Sequence, residues 1–194
     1  MHYPFSDLVA ILDIQRMLDT FESGSGISTQ IMDMDGEIIV ASPSRNMWHE
    51  FHPDSIRFRQ NAGEASFHVN AKSTQRDEPI SGLFQYARAI QVEDREVGTL
   101  FLGPLIHAQP DQETFRELAQ RFGFEETANF EKVKSVPIVT EEQAQHYVEF
   151  LVQLIESLAK KGLDEKRLIA SLTASQEQVA KLQRAYDELA ARIL

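Results

Sequence analysis

Apolar positions near the start of the chain recur at helical intervals. Leu8, Ile11, Leu12, Ile14, Met17, Leu18 and Phe21 predict an amphipathic helix over 6–21, capped by Ser6 or Asp7 and stopped by Gly24-Ser25-Gly26. The period then shortens to that of strands. Thr29 to Met34 and Glu37 to Ala41, separated by Asp35-Gly36, read as a hairpin. Pro43 and Pro53 punctuate an irregular, aromatic-bearing stretch from Ser44 to Ala65, whose second half has the pattern of a short helix. Ser66 to Asn70 reads as a short strand and the polar Ala71 to Ile80 as a loop. Phe84 to Val92 and Val97 to Ile106 form the strongest strand pair, joined by a charged turn at Glu93 to Arg95. Leu100, Phe101 and Leu102 run together without alternation, which predicts a central strand covered on both faces.

Helical spacing returns in the second half. Asp111 caps a helix with Phe115, Leu118, Ala119 and Phe122 on one face, ended by Gly123, and Glu125 to Val133 fits a further short helix. Pro137 breaks the chain. Thr140 then caps a helix whose stripe is Tyr147, Leu151, Leu154, Ile155 and Leu158, and Gly162 either interrupts or closes it. The body is therefore expected to be α/β in the α+β sense, a mixed, mainly antiparallel sheet flanked by helices.

From Leu168 the steps alternate between four and three through Leu172, Ser175, Val179, Leu182, Tyr186, Leu189 and Ile193. Seven of these eight positions are apolar, and a seam sustained over more than three heptads predicts a parallel coiled coil between two copies. The alternative is a helix folded back onto its own body, which ordinarily needs a wider apolar stripe. Domains are expected at 1–162 for the globular body and 163–194 for the coiled-coil helix. Because the heptads are still running at Leu194, an output module is expected beyond it.

Composition narrows the function classes. The net charge is -11, and Leu163 to Leu194 balances five basic against five acidic residues, so the whole excess lies in the first 162. Such a body repels phosphate backbones and anionic headgroups, so no direct nucleic-acid binding and no membrane association are expected. There is no cysteine, no signal-peptide pattern and no apolar run long enough to span a bilayer. A cytoplasmic location is expected.

Catalytic patterns are missing. His49-Glu50-Phe51-His52 is one residue short of the zinc motif in which two histidines four apart share a metal, and Pro53 adjoins it. No G-x-S-x-G and no thiol supplies a nucleophile. No enzyme activity, catalytic residue, resident metal or cofactor is expected.

Longer stretches carry a resemblance. Gly82-Leu83 leads into Ala87-Arg88-Ala89-Ile90; Gly98-Thr99-Leu100-Phe101-Leu102-Gly103 follows; then come Pro110 to Phe115, Phe122-Gly123-Phe124 and Val136-Pro137-Ile138-Val139 ahead of a long helix. In order and spacing these resemble the PocR sensory-domain family. The resemblance implies a PAS-like sensor of small organic molecules such as diols or hydrocarbon derivatives, placed upstream of kinases, cyclases or helix-turn-helix regulators. Family members often carry cysteines before the Gly-Leu pair and a Gly-Gln where this chain has Gly103-Pro104. Cysteine-dependent chemistry therefore does not carry over.

The expected function is a small-molecule sensor that relays ligand binding through a dimeric coil. Alternation puts Phe84, Tyr86, Arg88 and Ile90 on one face, with Trp48, Phe51 and His68 closing over them and Phe101 completing the lining. Arg88 anchors an acid or hydroxyl; Tyr86 and His68 exchange hydrogen bonds. The dimer seam is Leu168, Leu172, Val179, Leu182, Tyr186, Leu189 and Ile193. Two alternatives are a degenerate sensor fold serving as a scaffold, and a metal- or haem-bound sensor using His49, His68 or His107.

Overall fold

The structure is a computed structural model that describes residues 3–43, 74–80, 83–108 and 136–193. The elements are α1 (Phe5–Leu8), α2 (Ile11–Ser25), β1 (Thr29–Met32), β2 (Ile38–Ala41), β3 (Gln75–Ile80), β4 (Leu83–Val92), β5 (Arg95–Leu105) and α3 (Glu141–Ile193). The strands form one sheet in the order β2-β1-β5-β4-β3, with every named pair antiparallel. The α+β, PAS-like arrangement stands. The only parallel element among the described residues is a bridge between Ile106 and Ile138, where the chain after Pro137 meets the end of β5.

The first helix is two. Val9 and Ala10 are extended, neither Ser6 nor Asp7 acts as a side-chain cap, and the Ala10 carbonyl receives the first amides of α2. The bend lets Phe5 and Leu8 bury themselves beside Ile14 and Leu18, while Leu12 is left 72% exposed. Gly26, at φ 72°, ends α2 in the left-handed conformation that a side chain resists.

The β1–β2 turn is longer than the sequence suggested. Asp33 Oδ1 accepts from the amides of Asp35 and Glu37, so Met34 and Glu37 belong to the turn. A second correction concerns 75–80, expected as loop and found as β3. Its polar composition suits an edge strand with one partner, and Pro79 falls where the register with β4 shifts. The fold is otherwise as the pattern implies at β5, which lies between β1 and β4 at the centre of the sheet.

The three helices among the described residues cover one face. Ile31, Val40, Tyr86, Ile90, Leu100 and Leu102 from the sheet join Ile14 and Leu18 from α2 and Val148, Leu151, Val152 and Ile155 from α3 in a single buried cluster. Cross-strand partners share a face, so the pairs Ala87–Phe101 and Ala89–Thr99 point the other way. There Ala87 and Ala89 are buried and pack with the half-buried Phe101 in a smaller cluster.

Helix α3 begins with a capping box. Gln143 donates its amide to Thr140 Oγ1 at 3.2 Å, and the Thr140 amide donates back to Gln143 Oε1 at 3.1 Å. Its core stripe differs from expectation: Ala144, Val148, Leu151, Val152, Ile155 and Ala159 are buried, Tyr147 and Leu154 are half-buried, and Leu158 is exposed. Apart from Leu151, these inner positions carry small or β-branched side chains. Gly162 neither stops nor interrupts the helix. It is the point where α1 crosses, and a β-carbon there would lie 2.8 Å from the Leu8 carbonyl carbon and closer still to its oxygen.

Candidate functional site

The alternation of β4 is as read from the sequence: Phe84, Tyr86, Arg88 and Ile90 share a face. That face is the one on which α3 lies, with Tyr86 and Ile90 fully buried in the main core. Arg88 reaches toward Glu149 of α3 at 3.7 Å, and its Nε is buried with no hydrogen-bond partner among the described residues. Glu156 of α3 accepts from the Gln91 amide at 2.8 Å, which fastens the helix to the same strand. Among the described residues, then, α3 is what covers this face over Tyr86 and Ile90. Phe101 points to the opposite face, so the described members of the expected lining do not converge. Trp48, Phe51 and His68, like His49 and the other residues of the near-motif, lie outside the described residues.

What α3 and β4 do share is a polar joint at the start of the helix. His107, just past β5, comes within 2.6 Å of the Val139 carbonyl through Nδ1 and within 3.0 Å of the Tyr86 hydroxyl through Nε2. A carbonyl only accepts, so Nδ1 carries the proton, and in the neutral imidazole Nε2 accepts from Tyr86. Phe84 stacks on the imidazole at 4.2 Å between centroids, and the Arg76 guanidinium sits 5.1 Å from the Phe84 ring. Arg76 closes the arrangement with a 2.8 Å ion pair to Glu141 in the first turn of α3. Burial, with the Glu141 charge second, pushes the Tyr86 hydroxyl above its ordinary value. By sequence alone His107 suggests only a metal ligand. Its role here follows from a sequence-distant carbonyl that no spacing rule reveals.

A second joint lies where α3 leaves the body. Glu93, at φ 59° in the β4–β5 turn, receives two hydrogen bonds from Arg167, at 2.6 and 2.9 Å. The Arg167 guanidinium holds the Glu93 carboxyl below its usual range. Lys166 lies 5.2 Å from the ring of Tyr3. Beneath these groups Leu8, Val92, Val97 and Leu163 floor a cavity of about 220 Å³. Beyond it Leu168, Leu172, Val179, Leu182, Tyr186 and Leu189 are 55 to 70% exposed. The side chain of Ile193 lies outside the described residues.

Among the described residues no three His, Asp or Glu side chains gather as a metal site. No helix of those residues is long and apolar enough to cross a membrane. The family model described as the sensory domain found in PocR matches residues 7–163. No curated protein matches the chain.

Proposed function

The chain belongs to the PocR sensory-domain family, and from that premise we propose that it is a cytoplasmic small-molecule sensor domain of a signal-transduction or transcription-regulatory protein, relaying ligand binding through a parallel homodimeric coiled coil. The family is a sensory one and not an enzyme family. The observation that carries the relay is the continuity of α3: its first half is packed into the core through Val148, Leu151, Val152 and Ile155, and its second half bears the exposed four-three stripe. A change in how the sheet seats the helix therefore moves the seam, with no hinge between them.

The ligand belongs on the sheet face that α3 does not occupy. Alanine has the shortest side chain with a β-carbon, so a group lying over Ala87 and Ala89 approaches the strand backbone closely, with Phe101 as its apolar wall. Trp48, Phe51 and His68 remain candidates for closing over it. Phe84, Tyr86, Arg88 and Ile90 then act as the packed layer between ligand face and helix. A broad set of small acids, diols and aromatics, screened by melting temperature, tests this reading. A stabilising compound whose effect disappears in Ala87→Phe supports it; no shift with any compound removes its ligand half.

A second reading is favoured by one observation. The face expected to hold a ligand is covered by α3, with Tyr86 and Ile90 fully buried beneath it. On this reading the domain, with that face closed by its own helix, serves as a dimerising scaffold. A screen without hits on a protein that sediments as a dimer is the outcome it requires.

A further inference from the structure

The exposed apolar stripe of α3 does not begin at Leu168. At about 100° per residue, the seam from Leu168 to Leu189 and the upstream residues Phe150, Leu154 and Leu158 fall in one sector of the helix. Phe150 is 60% exposed and Leu158 40%, and Leu154 between them is half-buried. The core stripe of Val148, Leu151, Val152 and Ile155 is centred roughly 130° away. Alongside the body, then, α3 shows two apolar faces, and only one has a partner among the described residues. A singly exposed leucine needs no explanation, but three apolar residues spaced four apart in line with a seam do.

We propose that this upstream face is a contact between two copies of the chain, so that the dimer interface runs from the coil along the sensor bodies as far as Phe150. The proposal rests on reading the downstream stripe as a parallel two-helix seam. Because α3 is one helix from Glu141 to Ile193, pairing its downstream halves in parallel brings the upstream halves of the same two helices alongside one another. A two-fold interface of this kind presents the same residues from both copies. Among the described residues no other segment is placed on this face.

The residues between the two apolar stretches suit the same occupant. Lys161 and Glu165 continue the three-four spacing between Leu158 and Leu168, and they pair along the helix at 3.8 Å. Facing a second copy, each is one turn from its opposite charge on the other helix. Such a polar layer fixes register at some cost in affinity. The extension lengthens the contact by about 27 Å of helix, toward the roughly 800 Å² per partner that a stable interface buries.

The absence of cysteine from the chain allows a direct test. Single-cysteine full-length variants Phe150→Cys, Leu182→Cys and the control Gln145→Cys are treated with a short thiol cross-linker, and covalent dimer is measured. At a seam position of a parallel dimer a residue meets its own copy, so Phe150→Cys and Leu182→Cys are expected to cross-link several-fold more than Gln145→Cys. Leu182→Cys alone above the control overturns the body contact and leaves the coil standing. Phe150→Cys alone supports the body contact and removes the coil. If neither exceeds the control, both fall. Circular dichroism of each variant confirms that the comparison is made on folded protein.

Discussion

The Leu8 carbonyl occupies the place where a β-carbon on residue 162 would stand, so that α1 crosses α3 at Gly162, the one position of the helix without a side chain. Gly162 is otherwise a poor residue for the middle of a 53-residue helix, since glycine costs about 1 kcal/mol there relative to alanine. The close crossing offsets that cost by letting Leu8 reach the core.

Gly162→Ala is therefore expected to destabilise, although alanine is the better helix former. The overpacking penalty of about 1–3 kcal/mol exceeds the propensity gain of about 1 kcal/mol. Gly24, near the end of α2, has open space around it, with no atom within 4 Å of where a β-carbon would lie, so Gly24→Ala isolates the propensity gain. Thermal unfolding should move the two variants in opposite directions.

Tyr86 and His107 set a second expectation. Tyr86→Phe removes the donor to His107 Nε2 and leaves that nitrogen unpaired in a half-buried site, a loss of about 1–3 kcal/mol. The hydroxyl titrates higher when folded than its ordinary value of 10.0. The native state therefore holds its proton more tightly, so the contribution is present below about pH 10 and is lost as pH rises through the folded value. Urea midpoints measured up to alkaline pH should fall more steeply for the wild type than for Tyr86→Phe.

Glu93 and Arg167 behave in the opposite sense. The Glu93 carboxyl titrates below its ordinary value of 4.5, chiefly through the Arg167 hydrogen bonds. Its contribution is present above that value and is lost as pH falls through the lower, folded one. Glu93→Gln should remove this part of the acid dependence. Both side chains are about half exposed, at 46 and 54%, so added salt should shrink the difference between variant and wild type.

These joints show what the sequence could and could not convey. Period-two alternation located β4 and β5, and the apolar run at Leu100 to Leu102 placed β5 at the centre, because burial on one or both faces is written in adjacent residues. Strand β3 was not legible, since an edge strand is held by backbone pairing that polar residues make as well as apolar ones. The four residues of β4 were correctly assigned to one face, but periodicity does not say whether a ligand or a helix covers it. Here α3 covers it. The Thr140–Gln143 cap was readable because it is local, whereas the His107–Val139 and Gly162–Leu8 contacts join distant segments and leave no local pattern.

The two halves of α3 should respond differently to loss of a leucine. Leu151 is fully buried between helix and sheet, and Leu151→Ala is expected to cost about 2–5 kcal/mol at any protein concentration. Leu182 is 65% exposed, so within one copy Leu182→Ala removes little packing. If Leu182 lies in a seam, its loss weakens association instead, and the damage depends on mass action. Melting temperatures across a dilution series should then show Leu151→Ala displaced downward by a nearly constant amount. Leu182→Ala should converge on the wild type at high concentration and separate from it on dilution. Parallel curves for both variants would mean that the second half of α3 stabilises the body directly and pairs with nothing.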